Sequence, residues 1–382
     1  MNLDLTPEQE MIREAAVGFL TERAGPAVLR RAAETGSGYD RALWEAIGRE
    51  LGWCALAVPE DYGGMSMGAF DMALLAERMG QALLASPFFA TVCLAAPLLV
   101  HAGTAVAKET YLPAIAAGEL QATVGLSALG GVWWPDAEDV ARGVTARPDG
   151  AGFRLDGRLP HVPDGATAGL ILVPARIEGG RIGVFAVTPA ASGLTVLPLK
   201  TIDVGRPLAD LRLDGVVVGG EALVSDPVLV AAGLARALDE AALALAAEQV
   251  GVAQGALDGT LAYIAERVQF GRAIASFQAI KHRCAELMVR IEVARSAVMG
   301  AAQLAASGTD PQAAALEISA ARALATEAAF LAAQEAIQLH GGVGFTWEYD
   351  PHLYFKRAQA SGAWLGGADD HLDRIAAVVC PA

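Results

Sequence analysis

The sequence has 382 residues, of which 54% are apolar, and its formal net charge is −15. This length and composition predict a folded chain with a large buried core and more than one domain, and they exclude a disordered chain. The acidic balance argues against nucleic acid or an anionic membrane as a general partner, and no uncharged apolar run is long enough to predict a membrane span.

The hydrophobic pattern changes twice along the chain and predicts three domains. Residues 1–120 have helical periodicity that starts at Thr6-Pro7, an N-cap followed by a first-turn proline. Residues 121–227 contain short apolar runs separated by turns such as PDG and EGG, which predict a β sandwich or barrel. Residues 228–382 return to an Ala-rich helical pattern, which predicts a four-helix bundle. The predicted class is α+β.

The start of the chain and the cysteines bear on its location. The acidic N-terminal residues do not resemble a secretion leader, and the four cysteines are scattered without disulfide or metal-ligand spacing. We therefore expect a reducing, cytoplasmic setting. His282 and His340 have no cysteine or carboxylate at ligand spacing, so we predict no metal site and expect His340 to be capped or at the surface.

A stretch at the junction of the first two C-terminal helices, ERVQFGRAIASFQAIKH, combines Arg267, Gln269, Phe270, Gly271 and Gln278. A guanidinium matches phosphate oxygens, and a glycine lets backbone N–H groups approach them. These groups suit a pyrophosphate and its attached rings. The alternative is an ordinary helix–helix turn with a structural arginine.

A second stretch, QLHGGVGFTWEYD, interrupts the helical pattern after Gln338 with Gly341, Gly342 and a third glycine. Glycine is unfavourable within a helix and is useful where another group must approach the backbone closely. A tight helix C-terminus would explain Gly341 alone.

Together these stretches, and the α–β–α order of the whole chain, resemble the acyl-CoA dehydrogenase family. The segments VPEDYGG and ALLAERMGQAL are similar to its N-terminal domain. The resemblance implies an oligomer that binds FAD between subunits. It implies that Arg267, Gln269 and Phe270 of one subunit hold the pyrophosphate side, and that Gln338, Gly341 and Gly342 of its neighbour approach the adenosine end. Gln278 matches a further contact across subunits.

The family reaction needs a carboxylate that removes the proton next to a thioester, while a hydride leaves the next carbon for the flavin. In most members this Glu follows the glycine motif, where the present chain has Gly366, and in a minority it lies on the first C-terminal helix, where Ala241 stands. Asp369 and Asp370 are better explained as the first residues of a terminal helix.

Glu248 is the remaining candidate for the base. It lies seven residues, about two helical turns, after Ala241, at the edge of an apolar arc, whereas Glu240 falls on the opposite, solvent-facing side. A carboxylate beside a buried face is a candidate for altered acidity. We therefore hypothesise that Glu248 is the catalytic base. The alternative is a helix-edge Glu that pairs with a basic residue of a neighbouring helix.

The β region departs from the family pattern, because its usual flavin-facing motifs are absent. Ser127 still matches a position near the flavin or the substrate, and Trp133 and Trp134 could form the wall of a ring pocket or simply pack in the core. These departures favour a branched or polycyclic acyl-CoA over a straight chain.

The resemblance implies acyl-CoA as the substrate, electron-transfer flavoprotein as the electron acceptor, and a homodimer or homotetramer. Two other functions stay open at this point. The chain could be a non-catalytic partner subunit in a heterotetramer with a paralogous chain. It could also be a flavin oxidase or monooxygenase on the same fold.

Overall fold

A computed structural model describes residues 5–126 and 137–380 of the chain. The predicted order of a helical region, a β region and a helical bundle is confirmed. Its contacts divide the chain into two compact units, the first comprising 1–30, 69–84 and 242–382 and the second comprising 31–68 and 85–241. The three-domain boundaries predicted from the sequence stay a prediction.

In residues 5–121, which the structure describes, the α-helices are α1 Pro7–Arg23, α2 Pro26–Ala33, α3 Arg41–Glu45, α4 Ala69–Gln81, α5 Ala96–Ala102 and α6 Ala105–Ala116. The start of α1 follows the predicted capping logic, since the Thr6 hydroxyl accepts from the Gln9 amide at 3.3 Å. Two π-helical segments adjoin these helices: Ala46–Glu50 follows α3, and Phe89–Ala95 precedes α5.

The described residues of the second unit form a seven-stranded sheet and the short helix α7, Ala137–Val140. Its strands are β1 Ala122–Val124, β2 Val144–Asp149, β3 Gly152–Pro163, β4 Leu170–Ile177, β5 Arg181–Val187, β6 Leu194–Pro198 and β7 Leu208–Gly219. β4 pairs in parallel with β1 and β2 and antiparallel with β5, while β2, β3, β7 and β6 follow as antiparallel neighbours. One face of this sheet buries a cluster of aliphatic residues around Phe185.

The C-terminal helices are α8 Val230–Glu266, α9 Gln278–Ser307, α10 Pro311–His340, α11 Pro351–Gly362 and α12 Ala368–Val379. A short hairpin, β8 Val268–Gln269 and β9 Arg272–Ala273, joins α8 to α9. The start of α10 is capped like that of α1, because Asp310 accepts from the Ala313 amide at 2.9 Å and is followed by a first-turn proline. Within the described part of the chain, no helix has the length and apolar character of a membrane span.

In the first unit, α4 crosses α8 with almost no room between the two backbones. A Cβ added to Gly80 would lie 2.0 Å from the Glu248 carbonyl oxygen, and one added to Gly251 would lie 1.8 Å from the Glu77 carbonyl oxygen. Only glycine permits this approach. The crossing therefore fixes the part of α8 that carries Glu248.

Candidate flavin-binding end and buried carboxylate site

The corner between α8 and α9 is a tight two-residue hairpin. Gln269 pairs with Arg272, and the two residues between them, Phe270 and Gly271, have φ values of +52° and +80°. Positive φ at both central residues is the geometry of a type I′ turn, for which Asn-Gly is preferred. Phe270 is a bulky residue in a strained conformation, and it is 92% exposed. Strain and exposure together make this ring a candidate contact for a group outside the chain.

Helices α9 and α10 run antiparallel, and two ion pairs define their register. Arg283 lies 3.2 Å from Glu335, and Arg290 lies 3.6 Å from Glu327. Extrapolated along both helices, this register places Gln278, the first residue of α9, beside the last turn of α10. Gln278 and the glycine bend thus share one end of the helical unit.

The C-terminal end of α8 lies beside the glycine bend that follows α10. The Tyr263 ring stacks on the His340 ring with centroids 4.1 Å apart, and the Tyr263 hydroxyl lies 3.5 Å from the His340 carbonyl oxygen. Arg267 follows one turn later, with its amide donating to the Tyr263 carbonyl at 2.9 Å. The structure therefore brings the corner and the bend together within a single protomer.

All the described cofactor candidates at this end are exposed. Arg267, Gln269, Phe270, Gln278 and Gln338 present their side chains at the surface, as Gly341 and Gly342 present their backbone. The remaining candidate, Ser127, lies outside the described residues, as do Trp133 and Trp134.

The φ values of the glycines at this end, and the space around an added Cβ, show whether contacts within the chain require glycine there. The backbone conformation of Gly341 favours glycine, because its φ is +66°. At Gly342 a Cβ would meet nothing within 4 Å, and the φ of this residue is not in the left-handed region. Gly344, in contrast, would place a Cβ 2.8 Å from the Ile337 carbonyl oxygen. Internal packing thus accounts for Gly344, whereas no internal contact requires a glycine at Gly342.

Three contributors at this end are missing from the sequence prediction. They are Tyr263, Arg272 and Phe277. Tyr263 holds the last turn of α10, and the Phe277 ring lies 3.9 Å from the Arg272 guanidinium and packs edge-on against Phe270 at 6.3 Å. Tyr263 lies four residues before Arg267, a spacing that puts both on one helix face, and this was the available signal.

His340 is buried rather than at the surface. Its Nδ1 lies 2.6 Å from the Ala336 carbonyl oxygen, and burial lowers the pKa of its imidazole. The expectation of a capped histidine is therefore right and that of a surface position is wrong. No group of three metal-ligating side chains occurs in the described ranges.

Glu248 is buried in the helical unit and forms an ion pair. Glu248 is 6% exposed, and its Oε1 lies 3.3 Å from Nη1 of Arg357 on α11. Arg357 is 1% exposed. Nη2 of Arg357 lies 3.5 Å from the Leu84 carbonyl oxygen. This is the arrangement expected for a carboxylate that pairs with a neighbouring helix. Glu240, predicted to face solvent, is half-buried and lies 3.0 Å from Nε2 of His101.

Gln249, the residue after Glu248, is hydrogen-bonded to a second buried arginine, Arg322. The Arg322 guanidinium donates to the Gln249 side chain, to the Ser361 carbonyl at 2.6 Å and to the Trp364 carbonyl at 2.7 Å. These carbonyls lie at the C-terminal end of α11, where a cation is favoured by the helix dipole. Arg322 therefore fixes the backbone that leads to Gly366.

The position that resembles the usual family base has a backbone conformation that is unfavourable for a Glu. Leu365 and Gly366 have φ values of +54° and +91°, so a Glu at Gly366 would be strained. Asp369 and Asp370 belong to the first turn of α12, and Asp370 accepts from the Gly367 amide at 2.8 Å. They act as helix-start residues, with Gly367 as the N-cap.

Comparisons with known proteins agree with this architecture. The family model described as "Acyl-CoA dehydrogenase, N-terminal domain" matches residues 6–119, and "Acyl-CoA dehydrogenase, C-terminal domain" matches residues 233–380. The chain therefore belongs to the acyl-CoA dehydrogenase family, whose members are flavoproteins.

Three relatives are similar over nearly the full chain. Acyl-CoA dehydrogenase IpdE2 of Mycobacterium tuberculosis is 34% identical over 97% of this chain and 98% of its own length. A chain of the ChsE4–ChsE5 complex of M. tuberculosis is 27% identical, with a TM-score of 0.89 and full coverage of both chains. A chain of the Tcur3481–Tcur3483 steroid ACAD is 32% identical, with a TM-score of 0.86 and 97% coverage of each chain.

Proposed function

We propose that this chain binds FAD at the exposed end of its helical unit and takes part in the α,β-dehydrogenation of an acyl-CoA thioester. The observation that carries the proposal is the convergence there of an arginine, a strained exposed aromatic ring and open glycine backbone. Arg267 would pair with phosphate oxygens, and Gly341 and Gly342 would admit the nucleotide to bare backbone. When bound, the flavin supplies the acceptor for the hydride.

The arrangement of the site between protomers differs from the one implied by the resemblance. Because Tyr263 ties the end of α8 to His340, one protomer can present both Arg267 and Gly341 to the same dinucleotide. The groups that contact the redox ring would then come from a second chain. An exposed half-site of this kind supports an obligatory oligomer.

Flavin retention tests this proposal. We expect the purified assembly to be yellow and Arg267→Gln to lower its flavin affinity about tenfold or more, since a charge-assisted phosphate contact is lost. Arg290→Gln is the matched control, because Arg290 is an exposed arginine of α9 that forms its ion pair with Glu327 of the same chain. Equal flavin content in both variants would contradict the assignment.

Bulky, polycyclic acyl-CoA is the substrate class we favour, with electron-transfer flavoprotein as the acceptor that the family resemblance implies. The similarity to a steroid acyl-CoA dehydrogenase at 32% identity supports the first part. An anaerobic titration with straight-chain and polycyclic acyl-CoAs would compare the rates of flavin bleaching. Faster bleaching by straight chains would contradict the substrate class, and rapid reoxidation by air would favour an oxidase or monooxygenase.

The source of the base separates two forms of the proposal. In the first, Glu248 takes the proton; in the second, the chain is a partner subunit and another chain supplies the base. The buried ion pair favours the second form, because protonation of Glu248 would weaken its attraction to Arg357. The heteromeric ChsE4–ChsE5 and Tcur3481–Tcur3483 relatives also support it.

Glu248→Gln distinguishes these forms, because the amide keeps the shape but cannot accept the proton. Folding and flavin content are measured first, so that loss of the Arg357 pair is not mistaken for loss of the base. If Glu248 is the base, substrate-driven bleaching disappears while flavin is retained. If the chain is a partner subunit, bleaching persists in the assembly and requires the second chain.

A further inference from the structure

The hairpin between α8 and α9 places a second arginine, Arg272, directly opposite Gln269. The Ile274 amide donates to the Arg267 carbonyl at 2.9 Å, which extends the antiparallel ladder by one pair. Side chains alternate between the two faces of a strand, so Arg267, Gln269 and Arg272 share one face of the hairpin. Diagonal neighbours across an antiparallel pair are about 7–8 Å apart, within reach of long side chains. The two guanidinium groups can therefore converge on one ligand.

Neither of these arginines is neutralised by a carboxylate. Among the described residues, Arg267 and Arg272 form no ion pair and no side-chain hydrogen bond. In contrast, each of the three arginines of α9 pairs with a carboxylate: Arg283, Arg290 and Arg295. Carboxylates are not scarce, because the chain has 43 aspartates and glutamates against 28 lysines and arginines. Two neighbouring cations without carboxylate partners favour an anionic ligand.

The Phe277 ring orients the Arg272 side chain. The Arg272 guanidinium lies over this ring, 3.9 Å from its centroid, and the ring packs edge-on against Phe270. A stacked guanidinium contacts the ring with its face, and its N–H donors, which lie in the plane of the group, stay available to oxygen atoms. A group that is already oriented loses less side-chain entropy on binding. Arg272 is therefore a positioned donor rather than a freely moving surface arginine.

We infer that Arg272 is a second phosphate-binding arginine, which acts with Arg267 as a clamp on the diphosphate of FAD. This inference rests on the proposed function, in which the dinucleotide binds at this end of the helical unit. One guanidinium fork matches the oxygen atoms of one phosphate group, so two arginines match the two phosphates. The clamp makes the site select a nucleoside diphosphate or a dinucleotide over a monophosphate.

Flavin release from the intact holo-assembly, the full chain with any companion that co-purifies, tests the clamp. Flavin fluorescence on dilution gives the FAD dissociation constant, and displacement of FAD by ADP or by AMP gives the affinity for each nucleotide. Both are measured for Arg267→Gln and Arg272→Gln, with Arg23→Gln as the matched control. Arg23 is an exposed arginine of the same unit that also lies over a phenylalanine ring, that of Phe19. Sedimentation records the state of the assembly in each sample.

Arg267→Gln and Arg272→Gln should each weaken the binding of FAD and of ADP about tenfold or more, because each removes a charge-assisted phosphate contact. AMP has a single phosphate, so only one of the two variants should weaken its binding. Arg23→Gln should change none of these affinities. Equal loss of AMP binding in both variants would contradict the clamp, since both arginines would then bind one phosphate.

The inference is overturned if Arg272→Gln leaves the affinities for FAD and ADP unchanged. It is also overturned if this variant loses flavin only because the assembly dissociates, since Arg272 would then contact a second chain instead of the nucleotide. Arg267→Gln separates this result from failure of the proposed function. If Arg267→Gln alone weakens FAD binding, the flavin site stands and only the role of Arg272 is wrong. If neither variant weakens it, the flavin site itself is wrong.

Discussion

Two regions of the same helical unit differ in how their energetically unfavourable groups, buried charges in one and a strained, exposed ring in the other, are compensated by contacts within the chain. In the interior, Glu248, Gln249, Arg322 and Arg357 are buried and bond to one another or to helix-end carbonyls. At the flavin-binding end, Arg267 and Phe270 are exposed, and Phe270 adopts a strained backbone conformation. The first set is explained by the fold, while the second has no internal explanation.

The glycines show the same contrast. Gly80 and Gly251 are required by a helix crossing that would otherwise bring a Cβ to within about 2 Å of backbone oxygen atoms. Gly342, in contrast, has open space where a side chain would lie, and its φ is not in the left-handed region. A residue that costs stability without an internal reason indicates a ligand, whereas a residue whose properties are used up internally indicates architecture. By this criterion, Glu248 belongs with the architecture.

The largest effect is expected from breaking the buried ion pair. Arg357→Met should destabilise the fold by about 3–5 kcal/mol, because Glu248 is left buried without its guanidinium. Arg290→Met is the matched control, since its pair with Glu327 is more than half exposed on both sides and should contribute less than about 1 kcal/mol. Urea unfolding at fixed protein concentration measures both. Similar small losses would mean that the interior pair is not structural.

A second effect concerns His371 on α12, which bonds to the Leu365 carbonyl beside Gly366 at 2.9 Å. Burial, with a smaller contribution from Arg322, lowers the pKa of this imidazole from 6.5 to about 4. Because the unfolded chain takes up the proton first, stability is fully present above the unfolded pKa and is lost as the pH falls towards the folded one. Between pH 7.5 and 4.5 the loss from this residue is about 2.5 kcal/mol.

His371→Gln isolates that contribution, because glutamine does not titrate. Urea midpoints of wild type and variant are compared at both pH values, so that His340 and His352, whose pKa values are also lowered by burial, affect both proteins alike. The wild type should lose about 2.5 kcal/mol more than the variant on acidification. Parallel pH profiles would contradict the assignment.

The sequence shows which residues group at the candidate flavin-binding end but not which residues pair in the interior, for a physical reason. The flavin-binding end is made of short local patterns, so Arg267, Phe270 and the glycine motif are visible as neighbours in the sequence. Glu248 and Arg357 are separated by 109 positions, and nothing local shows that they pair. Periodicity placed Glu248 at the edge of an apolar face, but an ion-pair partner and a substrate pocket produce the same pattern.

Contacts between distant segments also explain the other features that the sequence analysis did not predict. Tyr263 gains its role only when α8 and α10 end side by side, and the division into two units combines α1 and α4 with the C-terminal helices. The start of α1, in contrast, was predicted correctly because Thr6 and the proline after it act locally. Local chemistry is readable from the sequence, and packing partners are not.

The smallest effect on stability is the most specific test of the contrast between the regions. Phe270→Asn creates the Asn-Gly pair that a type I′ turn prefers, so the fold should gain about 0.5–1 kcal/mol while flavin affinity falls about tenfold. Val106→Asn is the control, since it removes another exposed apolar side chain, from helical backbone in α6, and should leave flavin affinity unchanged. Thermal unfolding of the flavin-free protein and flavin fluorescence titration give the two quantities. Opposite signs would show that the strain at Phe270 is retained for binding, whereas unchanged flavin affinity would mean that the exposed ring is no cofactor contact.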